Sequence, residues 1–102
     1  MVRSKLTEQE RNTLLPTIPQ WKMVEGGRDA IHRVFIFKDF NEAFAFMTRT
    51  AIVAEKMDHH PEWFNVYNKV DVTLSTHDAN GLTTNDIELS QKMDSFAKQF
   101  GI

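Results

Sequence analysis

The sequence contains no cysteine. That removes disulfide frameworks and thiolate metal sites, and it fits a reducing compartment. Its first ten residues, MVRSKLTEQE, hold no apolar run, so no secretory signal is expected there. No stretch is long and apolar enough to span a bilayer, and no membrane association is expected. Basic clusters are missing as well. Twelve Lys and Arg stand against 14 Asp and Glu, a formal net charge of -2, which is poor footing for direct contact with nucleic acid. There are no repeats, low-complexity tracts or charge blocks. What is there is a chain of 102 residues, 41% hydrophobic with eight Phe. This is enough to fold as one domain, residues 1–102, and too little for two. A domain this small buries a modest share of its surface, so self-association would add burial.

Thr7 and Glu10 supply the two halves of a capping box for a helix that should stop near Pro16 and Pro19. Gln20 to Val24 is a short candidate strand, and Gly26-Gly27 a turn. Ile31 to Phe37 is a strand with Ile31, Phe35 and Phe37 on one face and Val34 and Ile36 on the other. Both faces are therefore expected to be at least partly covered. From Asn41 to about Met57 the period becomes helical, with Asp39 or Asn41 as the cap. Phe40, Phe44, Met47, Ala51 and Ala54 form one apolar row, and Ala43, Phe46, Thr50, Val53 and Met57 a second beside it. Such a wide face covers a sheet plus either another subunit's helix or an overlying loop. Pro61 is expected to stop this helix.

Phe64 to Tyr67 and Lys69 to Thr76 are strand-like, either a hairpin turning at Asn68 or one bent strand. In the second run Val70, Val72 and Leu74 alternate with Lys69, Asp71, Thr73 and Ser75. Asp78 to Gly81 is a loop with a glycine available for positive φ. Thr83 caps a last helix with Asp86 in its first turn; Leu89, Met93, Phe96 and Phe100 are its buried stripe, and Gly101 ends it. The order α-β-β-α-β-β-α predicts an α+β fold, a four-stranded antiparallel sheet with helices packed on one face.

Three of the four histidines stand where elements end. His59 and His60 are adjacent at the junction of the long helix with Pro61, and His77 follows the Val70–Thr76 strand, on the parity of Thr73 and Ser75. Element ends are where a rigid scaffold presents side chains to a ligand. Glu55 precedes His59 by one helical turn, placed to fix its tautomer or its charge. An unperturbed imidazole titrates at about 6.5, so such a group can give and take protons near neutrality. A histidine at a helix C-terminus also serves simply as a partner of the helix dipole. His32, inside a strand beside Arg33, belongs to a structural class. Two or three histidines with Glu55 are a nominal zinc set, but adjacent side chains diverge by about 100° around a helix. The H-E-x-x-H spacing is missing too, so no metal is expected. There is no G-x-S-x-G nucleophile elbow and no phosphate loop around Gly26-Gly27. Of the aromatics after the histidine pair, Trp63 suits the wall of a slot for a flat heterocycle, while Phe64 suits core packing.

The run Glu55-Lys56-Met57-Asp58-His59-His60-Pro61-Glu62-Trp63-Phe64-Asn65-Val66-Tyr67-Asn68-Lys69-Val70 resembles the signature of the pterin-4a-carbinolamine dehydratases. These are also known as the dimerization cofactor of a hepatocyte homeodomain transcription factor. The pattern of an acidic residue, a histidine pair with Pro, an aromatic, a later His and an acidic residue is met by Glu55, His59, His60, Pro61, Tyr67, His77 and Asp86. Gly27-Arg28-Asp29-Ala30-Ile31, Phe37-Lys38-Asp39-Phe40-Asn41 and Leu74-Ser75-Thr76-His77 are similar to the animal members. The resemblance implies the same element order and a homodimer or homotetramer in which sheets join across one interface and long helices across the other. The implied reaction is loss of water from 4a-hydroxytetrahydrobiopterin, without metal or other cofactor, which recycles tetrahydrobiopterin for aromatic amino-acid hydroxylases. His59, His60 and His77 would surround the pterin, with His60 and His77 moving protons and His59 binding and assisting. Glu55 would orient a histidine, Trp63 would line the pocket, and Asp58, Ser75, Thr76 and Asp78 would contact the ring. Asp86 fits the pattern and the capping role equally. The same resemblance implies a second role, a transcriptional coactivator binding the dimerization domain of a homeodomain transcription factor, and hence a cytoplasmic and nuclear location.

Overall fold

Thr7 starts the first helix as a reciprocal cap. Its Oγ1 accepts from the Glu10 N–H at 3.1 Å, and Glu10 Oε1 accepts from the Thr7 N–H at 2.8 Å. The computed structural model describes residues 4–102; residues 1–3, part of the stretch read for a targeting signal, lie outside them. Helix α1 (Glu8–Leu14) runs into a 3-10 turn, Leu15–Thr17, that holds Pro16. Strands β1 (Lys22–Met23) and β2 (Ile31–Ile36) follow, then helix α2 (Phe40–Met57), strands β3 (Glu62–Val66) and β4 (Lys69–Leu74), a 3-10 turn at His77–Ala79, and helix α3 (Thr84–Lys98). The sheet order is β1-β2-β4-β3, antiparallel throughout. This is the α+β order expected from the sequence, with β1 shorter than the Gln20–Val24 run.

The core lies between one sheet face and the helices. Ile31 and Phe35 from β2 and Val70, Val72 and Leu74 from β4 meet Ala43 and Phe46 of α2 and Leu89 and Met93 of α3. The other sheet face is open: Val34 is 40% and Ile36 52% exposed. The expected cover on both faces is therefore not found in the single chain, because the helices pack on one side only. On α2 the row with Ala43, Phe46 and Thr50 turns inward, while Phe40 and Phe44 of the other row face solvent.

Asp39, not Asn41, caps α2, accepting from the Glu42 N–H at 2.9 Å. The helix ends before Pro61. Asp58 takes the left-handed conformation, φ 52°, and its N–H returns to Ala54 and Glu55 carbonyls. An αL residue is a chain reversal in its own right, so Pro61 is not needed to stop the helix. β3 and β4 form a hairpin closed by Tyr67 and Asn68, with Val66 opposite Lys69. In the loop after β4 the positive φ falls on Asn80, 54°, not on Gly81. Gly81 is required for a different reason: a Cβ there would stand 2.3 Å from Asp29 Oδ2.

Candidate active site

The link after α2 and the segment after β4 border one cleft of about 400 Å³. Asp58, His59 and His60 come from the first; Ser75, Thr76, His77 and Asp78 come from the second; Asn85 of α3 adds to the wall. The αL turn at Asp58 takes the chain off the helix, so His59 and His60 leave in directions that a continued helix would not give them. The His59 N–H still closes the helix end by donating to the Ala54 carbonyl at 3.0 Å.

Each of the three histidines meets its own carboxylate through Nε2. His59 lies 2.6 Å from Asp86 Oδ1, with Asp86 wholly buried. The second Asp86 oxygen accepts from the Thr83 N–H at 2.9 Å and the Thr76 hydroxyl at 2.8 Å. Asp86 thus caps α3 and holds His59 at once. His60 lies 2.9 Å from Glu55 Oε1, both exposed. His77 lies 3.0 Å from Glu62 Oε2. Glu62 is also forked by the Arg28 guanidinium, whose Nη1 lies 3.0 Å from Oε1 and whose Nη2 bonds Oε2. Arg28 first, and His77 second, hold the Glu62 carboxyl down at about 2. Behind the cleft, Asp29 accepts both Arg11 nitrogens, at 2.9 and 2.7 Å, and the Leu82 N–H at 3.1 Å. The Arg11 hydrogen bonds chiefly hold its carboxyl below the usual range. The Ser75 hydroxyl donates to the Asp29 carbonyl at 2.9 Å.

A carboxylate only accepts, so each Nε2 carries a proton. The second nitrogen, Nδ1, is then an acceptor on the neutral ring and a donor on the charged one. Three imidazoles so arranged can deliver one proton and remove another at a single bound molecule.

The structure brings together Asp58, His59, His60, Ser75, Thr76, His77 and Asp78. Glu55 pairs with His60 rather than with His59, the partner expected from helical spacing, because the helix ends at Asp58. Trp63 does not line the cleft. It stands opposite Val72 on the inner sheet face and packs on the core. Phe64, expected in the core, is 64% exposed. Tyr67 sits in the hairpin turn, also exposed. His32 pairs with Asp71 at 2.5 Å, outside the cleft. Arg28, Glu62 and Asn85 were missed as site residues. Asn85 follows directly from the Thr83 cap; Glu62 and Arg28 reach His77 only through strand pairing. Among the described residues no group of three or more His, Cys, Asp or Glu is arranged to hold a metal ion.

The family model described as pterin 4 alpha carbinolamine dehydratase matches residues 4–96. The chain belongs to this family. A Burkholderia multivorans relative, provisionally named a pterin-4-alpha-carbinolamine dehydratase, is 66% identical over 91% of this chain and 90% of its own. A Burkholderia vietnamiensis relative of the same name is 67% identical over 88% and 87%. A Brucella melitensis crystal structure, described as a transcriptional coactivator/pterin dehydratase, superposes with a TM-score of 0.87 at 54% identity, covering 92% of this chain and 99% of that one. A pterin dehydratase-like protein described as a RuBisCO assembly factor in the alpha-carboxysome shares the fold, at 23% identity and a TM-score of 0.66 over 76% and 89% of the two chains.

Proposed function

We propose that this chain dehydrates a 4a-hydroxytetrahydropterin, with 4a-hydroxytetrahydrobiopterin as the type substrate, to the quinonoid dihydropterin, returning cofactor to aromatic amino-acid hydroxylases. The C4a–O bond breaks and the hydroxyl leaves as water after taking a proton from an imidazolium. A neutral imidazole takes the N5 proton, and the N5=C4a double bond forms. The observation that carries this reading is the convergence of His59, His60 and His77 on one cleft, each with a separate carboxylate. His60 and His77, the exposed pair, transfer protons; His59, locked on buried Asp86, binds the ring and assists. Glu55 orients His60, and Asp58, Ser75, Thr76 and Asp78 contact the heterocycle. The two protons that must move are ones that imidazoles can give and take near neutrality.

A second, compatible reading is a coactivator role. The Phe40 and Phe44 rings tilt against each other, centroids 5.5 Å apart, on the open side of α2, and Ile52 on the same helix is 68% exposed. This surface suits helix packing, either with further copies in a homodimer or homotetramer or with the helical dimerization domain of a homeodomain transcription factor. The coactivator description of the Brucella relative supports it. Cytoplasmic and nuclear residence would follow from the two roles together.

The test is direct assay of the purified protein on 4a-hydroxytetrahydropterin. His60→Ala should lower turnover by about 10²-fold, the loss of one positioned acid–base group. His77→Ala should also lower it, unequally for the two substrate diastereomers. His32→Ala, outside the cleft, should match wild type. Wild-type rates in His60→Ala and His77→Ala variants that circular dichroism shows to be folded would sink the enzymatic reading.

A further inference from the structure

His77 is the most exposed of the three rings. It is 69% exposed, and its hydrogen-bond partner among the described residues is Glu62. It lines the main cleft and also a second one, of about 230 Å³, bounded by Lys5, Gly27, Arg28 and Asn80. An imidazole standing between two openings has room to turn into either. His59 has no such freedom, because Asp86 is buried and tied to Thr76 and Thr83. Glu55 is 81% exposed and holds His60 without a second anchor. Glu62 differs from both. It opens β3 opposite Thr73, which fixes its backbone, and a guanidinium fork fixes the plane of its carboxylate.

Arg28 is itself placed by two features. It follows the Gly26-Gly27 turn, with φ of 92° and 88°, and the next residue, Asp29, takes the Ser75 hydroxyl on its carbonyl. Arg28 and His77 are thus joined through Glu62 on one side and are neighbours of the Asp29–Ser75 contact on the other.

We infer that Arg28 and Glu62 are positioning residues for His77, holding its Nε2–H on Glu62 so that Nδ1 is the atom presented to the main cleft. The inference rests on the proposed dehydration for its catalytic part and on geometry alone for its structural part. Because the Glu62 carboxyl stays ionised far below neutrality, it remains an acceptor throughout the working range. His77 therefore exchanges protons with a bound ligand through Nδ1 alone.

Two experiments separate this inference from the functional one. In ¹⁵N-labelled protein, the His77 Nε2–H signal should be hydrogen-bonded and slow to exchange in wild type. It should shift and exchange faster in Glu62→Ala and in Arg28→Ala, while the His59 ring is unchanged. Identical His77 spectra in all three proteins would overturn the inference whatever the activity. In the kinetic arm, Glu62→Ala should lower kcat by about tenfold, as removal of a carboxylate that orients a histidine does, with little change in KM. Arg28→Lys should recover only part of the rate lost in Arg28→Ala, since an ammonium cannot fork a carboxylate. Introducing Glu62→Ala into His77→Ala should cost nothing further, because the groups act as one unit. Additive losses in the double variant would show that Glu62 acts elsewhere and would overturn the proposal.

Discussion

At the scale of single residues, three histidine–carboxylate pairs in one cleft differ in what stands behind the carboxylate. Asp86 has a hydroxyl and a backbone N–H, Glu62 has an arginine, and Glu55 is open to solvent. The Arg28 pairing has a consequence for acid stability. A carboxyl whose folded pKa lies below its unfolded value stabilises the fold above the unfolded value, and that contribution fades as pH falls through the folded one. For Glu62 the ordinary value is 4.5 and the folded value about 2. Asp29, lowered chiefly by Arg11, acts in the same direction. Melting temperature should therefore fall between about pH 5 and pH 2. Glu62→Gln should melt below wild type at neutral pH, and the gap should close toward pH 2. A gap that stays constant across a circular-dichroism pH series would show that the pair adds nothing. The effect is modest because Arg28 and Glu62 are both more than a third exposed.

At the scale of elements, the boundaries marked by a chemical signal were legible. The capping box of Thr7 with Glu10, the Thr83 cap with Asp86 in its first turn, and the alternation of Val70, Val72 and Leu74 all stand as read. The end of α2 near Met57 was legible, but the left-handed turn at Asp58 was not, because no glycine announces it. That one residue moves Glu55 from His59 to His60. The sides of Trp63 and Phe64 were also misassigned. β3 begins at Glu62, and its register against β4 puts Trp63 with Val72 on the core side and Phe64 with Asp71 on the open side. Arg28 was invisible as a site residue because its partner lies 34 residues away. The glycine after β4 was noticed for the wrong reason. Its space is filled by an Asp29 carboxylate already bound by Arg11 and the Leu82 N–H, so the carboxylate cannot easily retreat. Gly81→Ala should cost about 1–3 kcal/mol, the usual penalty of overpacking, read as a lower urea midpoint. An unchanged midpoint would mean that the Asp29 hub gives way freely.

At the scale of the whole molecule, two apolar surfaces stand open: the Phe40 and Phe44 side of α2, and the outer sheet face with Val34, Ile36, Phe64 and Val66. Adjacent exposed side chains of this kind mark interaction sites more often than isolated ones do. Self-association through α2 should be weakened by Phe44→Glu, which places a charge on the open row without touching the core. Phe46→Glu, at a fully buried position, should instead unfold the chain. Sedimentation velocity should show wild type as an oligomer and folded Phe44→Glu as a smaller species; monomers in both samples would remove α2 as an interface. The strand order also sets a timetable for folding. The β3–β4 hairpin closes through two residues, whereas β2 reaches β4 only across all of α2. Local closure costs less chain entropy than distant closure and so comes earlier. Glu62 enters on the early hairpin, but Arg28, made first during synthesis, must wait for the sheet to be completed before it can reach Glu62. A nascent or half-folded chain therefore lacks the Arg28–Glu62 pair beside His77, which forms only with the final registration of β2.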